Sequence, residues 1–125
     1  SCSGRVILAF SDDQQRDRML QLAERLLRTR INRTELDQQL ARVRARGYEQ
    51  CASPITHGVT DISYPIFGFY GNLMAALTVP FLELLDGSQK VGLDAARKYL
   101  ERAAQSVSTA LGHHESLKKS SRKRA

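Results

Sequence analysis

The stretch from Gly47 to Pro80 constrains the fold of this chain more than any other, because strand and turn signals alternate along it. Three short runs rich in β-branched and aromatic residues are separated by turn residues, which is the pattern of strands joined by tight connections. They predict strands at Tyr48 to Ser53, Val59 to Phe67 and Asn72 to Val79. Gly68 to Gly71 supplies the turn between the last two. The stretch therefore predicts a three-stranded antiparallel sheet.

The segments on both sides of this sheet have the patterns of helices. Ser11 begins a capping box, and apolar residues then recur at helical spacing, which predicts a helix over about residues 12–28. A second helix is predicted from Thr34 to Gly47 and a third from Leu93 to Gly112, each closed by a glycine. Residues 4–10 are too few for periodicity to separate helix from strand. The predicted class is α+β, an antiparallel sheet flanked by helices.

Strand alternation gives the predicted sheet one unusually polar face. With the hairpin centred between Phe69 and Tyr70, Asp61 is expected opposite Thr78. The patch on that face is Val59, Asp61, Ser63, Thr78 and Pro80. Such a mixture suits the wall of a small-molecule pocket as well as it suits a solvated surface, and the pattern alone leaves both open. Pro65 cannot donate to a ladder, so its strand is expected to lie at an edge or to bulge there.

The net charge of +6 is concentrated at the C-terminal end. Four of the six charges come from residues 113–125, which hold Lys118, Lys119, Arg122, Lys123 and Arg124 against Glu115. We interpret residues 1–112 as part of one domain and residues 113–125 as a basic, disordered tail. Solvated fraying is the main interpretation of the tail, and weak contact with nucleic-acid phosphates is the alternative.

Composition limits the class of protein further. The chain has 125 residues and is 42% hydrophobic, with no apolar run near the roughly 18 residues of a membrane span, and its start lacks a leader pattern. Its two cysteines, Cys2 and Cys51, are too few for a disulfide framework, so a reducing cytoplasm is expected. Because Ser1 follows no methionine and the segment after it has no cap, we expect residues to precede it in the intact protein.

Three other functions compete for the same residues. A cysteine-dependent enzyme would use Cys51 with His57, or Cys2, as a thiol and base, but no nucleophile signature surrounds either cysteine. A zinc site at His113 and His114 lacks a second pair of ligands at suitable spacing, so no metal or other cofactor is expected.

An interaction module is the third alternative. Aromatic and aliphatic residues at the hairpin turn and after the third strand could form an apolar contact patch, with core packing equally compatible with the pattern. These residues are Phe67, Phe69, Tyr70, Phe81, Leu82, Leu84 and Leu85. Phe81 to Lys90 is otherwise predicted as a loop, with Asp86-Gly87 as its turn.

Four segments in order carry a resemblance to a known family. They are SGRVILAF at residues 3–10, LARVRARGYEQ at 40–50, HGVTDISYPIFGFYGNLMAALTV at 57–79 and AAQSVSTALG at 103–112. Together they resemble the effector-binding domain of IclR-type bacterial transcription regulators over about residues 3–112. The resemblance implies a GAF-like sensory domain that binds a small metabolite and assembles as a homodimer or homotetramer. It also implies that DNA is bound only by a winged helix-turn-helix domain that precedes this one.

The resemblance also implies an effector site. Backbone amides at Cys2 and Ser3 would hold the ligand's carboxylate, and the side-chain contacts would come from Cys51, Val59, Asp61, Thr78 and Pro80. Keto-acid binders of the family have a thiol where Asp61 stands, an acid where Cys51 stands and a hydroxyl where Pro80 stands. Asp61 would repel a second anionic group. The expected ligand is therefore an organic acid or aromatic metabolite that donates a hydroxyl or amine to Asp61.

Overall fold

The computed structural model of the protein describes residues 1–114 and contains four helices and three strands within them. The helices are α1 (Cys2–Phe10), α2 (Asp13–Leu27), α3 (Arg33–Arg46) and α4 (Leu93–Ala110), and the strands are β1 (Glu49–Ala52), β2 (Val59–Phe67) and β3 (Leu73–Leu82). Residues 115–125, most of the predicted tail, lie outside the described part. No helix within residues 1–114 combines the length and the apolar character that a membrane crossing requires.

The helix ends follow from side-chain caps that satisfy free backbone N–H groups. Asp12, and not Ser11, caps α2 by accepting from the Gln15 N–H. Ser11 instead closes α1, where its hydroxyl donates to the Ile7 carbonyl at 2.6 Å. Asn32 caps α3 two residues before the predicted Thr34, and Gly47 ends that helix at a φ of 88°, which favours glycine. The undecided segment 4–10 is helical, and the prediction that it has no cap is wrong, because the Ser1 hydroxyl accepts from the Gly4 N–H at 3.1 Å.

The sheet has the order β1-β2-β3, and both pairs are antiparallel, as predicted. Its register differs from the prediction by two residues: Asp61 lies opposite Pro80 and Ser63 opposite Thr78. The cause is a longer connection and a bulge, since Ile66 pairs with Ala75 and Phe67 with Leu73. A shift of two preserves side-chain parity, so the predicted polar face survives.

Two further strand predictions need correction. Pro65 lies in the middle strand rather than an edge strand, but the pairing of β1 with β2 ends at Ser63, so β2 has one neighbour at Pro65. The bulge lies one step later, after Ile66. The segment predicted as a loop from Phe81 begins instead with two strand residues, because β3 continues to Leu82.

Helices cover both faces of the sheet. On one face α4 packs through Leu100 and Ala104 against the buried β2 side chains Ile62, Tyr64 and Ile66. Helical spacing of apolar residues in α4 predicts a buried stripe that runs through Leu100 and Ala104 to Val107 and Leu111. That prediction is wrong at its end, because Val107 and Leu111 are exposed and the buried row continues to Ser108. Ser108 is buried because its hydroxyl accepts a hydrogen bond from the Phe67 N–H of β2 at 3.0 Å.

On the other face α1 lies between the sheet and α3. Val6 and Ala9 of α1 pack against Leu40 and Val43 of α3, all of them buried, with Ala76 of β3 against the same cluster. Helical spacing in α3 predicts a buried stripe of Leu36, Leu40 and Val43, and it is confirmed at Leu40 and Val43. This arrangement sets the N-terminus of α1 against the polar face of β1 and β2, where the candidate site lies.

Candidate functional site

The N-terminal residue of α1 is held against the two strands by weak thiol hydrogen bonds. Cys2 is 1% exposed, and its Sγ lies 3.4 Å from the Asp61 carbonyl oxygen and 3.5 Å from that of Glu49. Burial, and after it the neighbouring Cys51 thiol, raise the pKa of Cys2 to about 12. The thiol therefore stays protonated and acts as a donor that joins α1 to β1 and β2.

Cys51 and Asp61 are opposite each other in the β1–β2 pair. Partners in an antiparallel pair point to the same face, which here is the face covered by α1. Both residues are half-buried. Between them and Cys2 the structure brings together three of the residues that the sequence assigns to the site.

Ser63 and Thr78 form the next pair along this face. Their hydroxyl oxygens are 2.8 Å apart, with Ser63 fully buried and Thr78 exposed. Pro80, opposite Asp61, is also exposed. At this end of the face α1 covers β2 but leaves Thr78 and Pro80 of β3 exposed, which gives a polar edge beside a buried thiol.

A buried carboxylate lies at the start of β1, on the same face. Glu49 is 7% exposed, and its Oε2 accepts from Arg5 Nε at 2.6 Å, while Oε1 accepts from Arg46 Nη2 and the Gln50 N–H. Burial opposes the charge on Arg5, but the hydrogen bond to Glu49, with smaller contributions from Cys51, raises the pKa of Arg5. These contacts join α1, α3 and β1.

Two cavities lie beside α1, one at each end, and neither is lined by a predicted site residue. One of about 210 Å³ lies beside the buried carboxylate and is lined by Arg5, Gln39, Arg42, Val43, Arg46 and Glu49. The other, of about 420 Å³, lies at the opposite end of α1 and is lined by Ile7, Ser11, Gln15, Arg18, Met19, Leu73, Met74 and Ala75.

Comparison with known protein families identifies the fold. The model of the family "Bacterial transcriptional regulator IclR C-terminal" matches residues 1–109. The chain belongs to this family. No protein of curated function matches the chain significantly in sequence.

Solved structures agree with this membership in the IclR C-terminal family. Pseudomonas aeruginosa HmgR is 24% identical with a TM-score of 0.67, covering 90% of this chain and 44% of its own. The Thermotoga maritima IclR has the same identity and TM-score, covering 90% and 46%. The C-terminal domain of Escherichia coli KdgR is 24% identical with a TM-score of 0.64, covering 90% and 70%. The chain thus spans less than half the length of the first two relatives, and at this identity they show the fold alone.

Within this IclR domain the seven predicted residues divide into two groups. Cys2, Cys51 and Asp61 converge, and Val59 is buried two residues before Asp61 on the same face. Thr78 and Pro80 lie across β3 on the open edge, and Ser3 is half-buried one residue after Cys2. All of them belong to one side of the sheet, on or under α1.

Sequence reasoning missed the buried ion pairs of this IclR domain. Glu49 was not among the predicted site residues, although a lone acid in a strand beside an arginine-rich helix is a signal of a buried pair. Arg5 could not be matched to it, because the two are 44 positions apart and meet only through the packing of α1. Ser63 was on the predicted face but was not assigned to the site.

The alternative thiol–base pair is not assembled within residues 1–114. Cys51 is half-buried in β1, whereas His57 is exposed in the loop before β2, and no hydrogen bond joins them in this part of the chain. Of the two histidines considered for zinc, His113 contacts the Gly68 carbonyl oxygen through Nδ1 at 3.2 Å and lies against the Phe67 ring. No cluster of metal-ligating residues occurs in the described residues.

Proposed function

We propose that this IclR domain senses a small molecule between the N-terminus of α1 and the open edge formed by Asp61, Thr78 and Pro80. One observation carries the proposal. α1 buries the β2 residues of a polar sheet face and leaves Thr78 exposed near the half-buried Asp61. Donors and acceptors of that kind at the border of a buried region are typical of small-molecule sites.

Each element has a defined role in this proposal. The first backbone N–H groups of a helix have no partner within the helix, so those of Cys2 and Ser3 suit a carboxylate of the ligand. Asp61 accepts a hydrogen bond from a hydroxyl or amine of the same ligand, and Thr78 supplies a second polar contact. Val59 and Pro80 provide apolar contact beside them. Cys51 lies opposite Asp61 and sets the depth of the site.

The ligand class follows from these groups. A dianionic keto acid would put negative charge beside Asp61, whose own carboxylate would repel it. An organic acid or aromatic metabolite with a hydroxyl or amine opposite its acid group could bind the amides of Cys2 and Ser3 through the acid and Asp61 through the donor group. The site is proposed for binding and not for catalysis, in line with a family of transcription regulators.

The proposal includes self-association of the regulator. Three leucines at and after the end of β3 are exposed, namely Leu82 at 62%, Leu84 at 53% and Leu85 at 108%. Contiguous exposed leucines favour contact with another protein surface. A second copy is the proposed partner, with ligand binding biasing the arrangement of the copies. Contact with DNA is assigned to a separate helix-turn-helix domain and not to residues 1–112.

A thermal-shift screen of small acids, phenols and amines tests the ligand site. A ligand at about 100 times its Kd stabilises the folded state by about 2.7 kcal/mol, which raises the Tm measurably. We expect hits that carry both an acid and a donor group, and we expect the shift to be lost in the double variant Asp61→Asn, Thr78→Val.

The matched control is Thr109→Val, which makes the same change at an exposed position of α4. Hits that shift the wild type and Thr109→Val equally but not the double variant support the proposal. Hits that protect the double variant as well as the wild type would show that the ligand binds elsewhere.

A further inference from the structure

The two cysteines of the chain, Cys2 and Cys51, approach each other from different elements. Cys2 begins α1, and its Sγ lies within 3.5 Å of the carbonyl oxygens of Glu49 and Asp61. Glu49 precedes Cys51 by two residues on β1, and Asp61 is the cross-strand partner of Cys51. The Cys2 sulfur is therefore seated against the backbone on both sides of Cys51.

The side chain of Cys51 points towards α1. Glu49 contacts Arg5 of α1 through its carboxylate, so its side chain lies on the face that α1 covers. Residues two apart on a strand share a face, which puts the Cys51 side chain on that face too. Cys2 begins the helix that covers this face, and its sulfur contacts the carbonyl oxygen of Asp61, the residue directly opposite Cys51.

We propose that Cys2 and Cys51 form a thiol oxidation site that closes reversibly to a disulfide between α1 and β1 on exposure to a peroxide. The proposed ligand site uses the backbone amide of Cys2 and leaves its thiol without a role. The pair spans two elements, so its oxidation would fix the N-terminus of α1 against the sheet.

The exposure of the two thiols sets the order of the reaction. Cys51 is half-buried and can meet a small oxidant, whereas Cys2 is 1% exposed and can be reached only from within the molecule. The Cys51 sulfur attacks a peroxide oxygen, the O–O bond breaks, and a sulfenic acid and one water form. The Cys2 thiol then gives its proton to the departing sulfenic hydroxyl as its sulfur attacks the sulfenic sulfur, so that a second water leaves as the S–S bond forms. Two thiols are oxidised, and one hydrogen peroxide is reduced to two waters.

Mass spectrometry of the purified, reduced protein tests the proposal. The protein is treated with hydrogen peroxide under native conditions and then denatured, so that any remaining thiol, including the buried Cys2, reacts with N-ethylmaleimide before digestion with trypsin. We expect the intact chain to lose two hydrogens and take up no maleimide. We also expect residues 1–5, which contain Cys2, to appear linked to residues 47–90, which contain Cys51. Dithiothreitol should restore two maleimide-reactive thiols.

Two variants define the mechanism. In Cys2→Ser the oxidation should stop at Cys51 with added oxygen, and in Cys51→Ser the buried Cys2 should stay reduced. The linked peptide of the wild-type protein decides whether the disulfide forms, so the test does not depend on either variant folding. Oxygen added to Cys51 without a link to residues 1–5, or a disulfide only between two molecules, would overturn the proposal. Because the readout needs no ligand, the oxidation site and the proposed ligand site can fail separately.

Discussion

Ser63 and Thr78 share a hydrogen bond of 2.8 Å between β2 and β3, and Ser63 is fully buried whereas Thr78 is exposed. The difference in burial makes the two ends of the bond unequal. A buried hydroxyl without a partner destabilises the folded state, because it has given up its hydrogen bonds to water and gained none in return. An exposed hydroxyl can bond to water instead.

We therefore predict that Thr78→Val destabilises the protein more than Ser63→Ala. Thr78→Val leaves the Ser63 hydroxyl buried without its partner and should cost about 1–3 kcal/mol, whereas Ser63→Ala leaves Thr78 in contact with water and should cost about 1 kcal/mol. Urea unfolding measures both. The double variant Ser63→Ala, Thr78→Val should be more stable than Thr78→Val alone, because it no longer buries a hydroxyl without a partner. Equal costs for the two single changes would mean that the buried hydroxyl has another partner.

The alternation that predicted this polar face survived an error in register. The sequence indicated two strands around Gly68–Gly71, but the number of residues in the turn and the bulge after Ile66 depend on local backbone geometry that composition does not specify. The error was two residues, so each side chain kept its face and only its partner changed. An error of one residue would have put Asp61 and Thr78 on opposite faces of the sheet.

The helices show where sequence patterns stop being informative. Periodicity located α3 and its buried Leu40 and Val43, because that helix buries a regular stripe. It misplaced the α4 stripe at its end, since Ser108 is buried for its hydrogen bond and not for apolar area. The contact between Arg5 and Glu49 could not be predicted at all, because it requires the packing of α1 between sheet and α3.

Arg5 should contribute more to the free energy of unfolding than Arg42, an exposed arginine of α3. Removing it by Arg5→Met takes away one of two cations from a carboxylate that is 7% exposed, and an incompletely paired buried charge is unfavourable. Since Arg46 remains and Arg5 is partly exposed, we expect a loss of about 1–3 kcal/mol in the free energy of unfolding.

Arg42→Met is the matched control for this change. Arg42 is exposed on α3 and has no ion pair or hydrogen bond within residues 1–114, so its replacement should change stability by less than about 0.5 kcal/mol. Urea unfolding of the two variants side by side provides the measurement. Similar losses for Arg5→Met and Arg42→Met would indicate that general charge, and not the Glu49 contact, matters.

The raised pKa of Cys2 predicts a loss of stability at high pH. Below pH 9 the thiol is protonated in both the folded and the unfolded chain, so its contribution to the free energy of unfolding is fully present. Between its ordinary value of 9.0 and about 12 only the unfolded chain releases the proton, so stability falls by up to about 1.4 kcal/mol per pH unit in that window.

The difference between wild type and Cys2→Ala isolates this contribution, because other titrating groups act equally in both. The wild type should lose stability faster than Cys2→Ala from about pH 9 upwards, measured as urea midpoints. At lower pH, thiolate at Cys2 should be about 10³-fold rarer in the folded than in the unfolded chain, so iodoacetamide should alkylate it only after denaturation. Parallel pH profiles would contradict the prediction.

The leucines at the end of β3 should control self-association. Leu84 and Leu85 are exposed, so replacing both with serine should leave the Tm nearly unchanged while it weakens a contact between copies. Sedimentation velocity over a range of concentrations should show the wild type as dimer or larger and the double variant shifted towards monomer. Tyr99→Ser, a change at an exposed aromatic of α4, is the control and should sediment as the wild type does. A wild type that stays monomeric at the highest concentration, or a double variant that associates equally well, would exclude this surface as the interface.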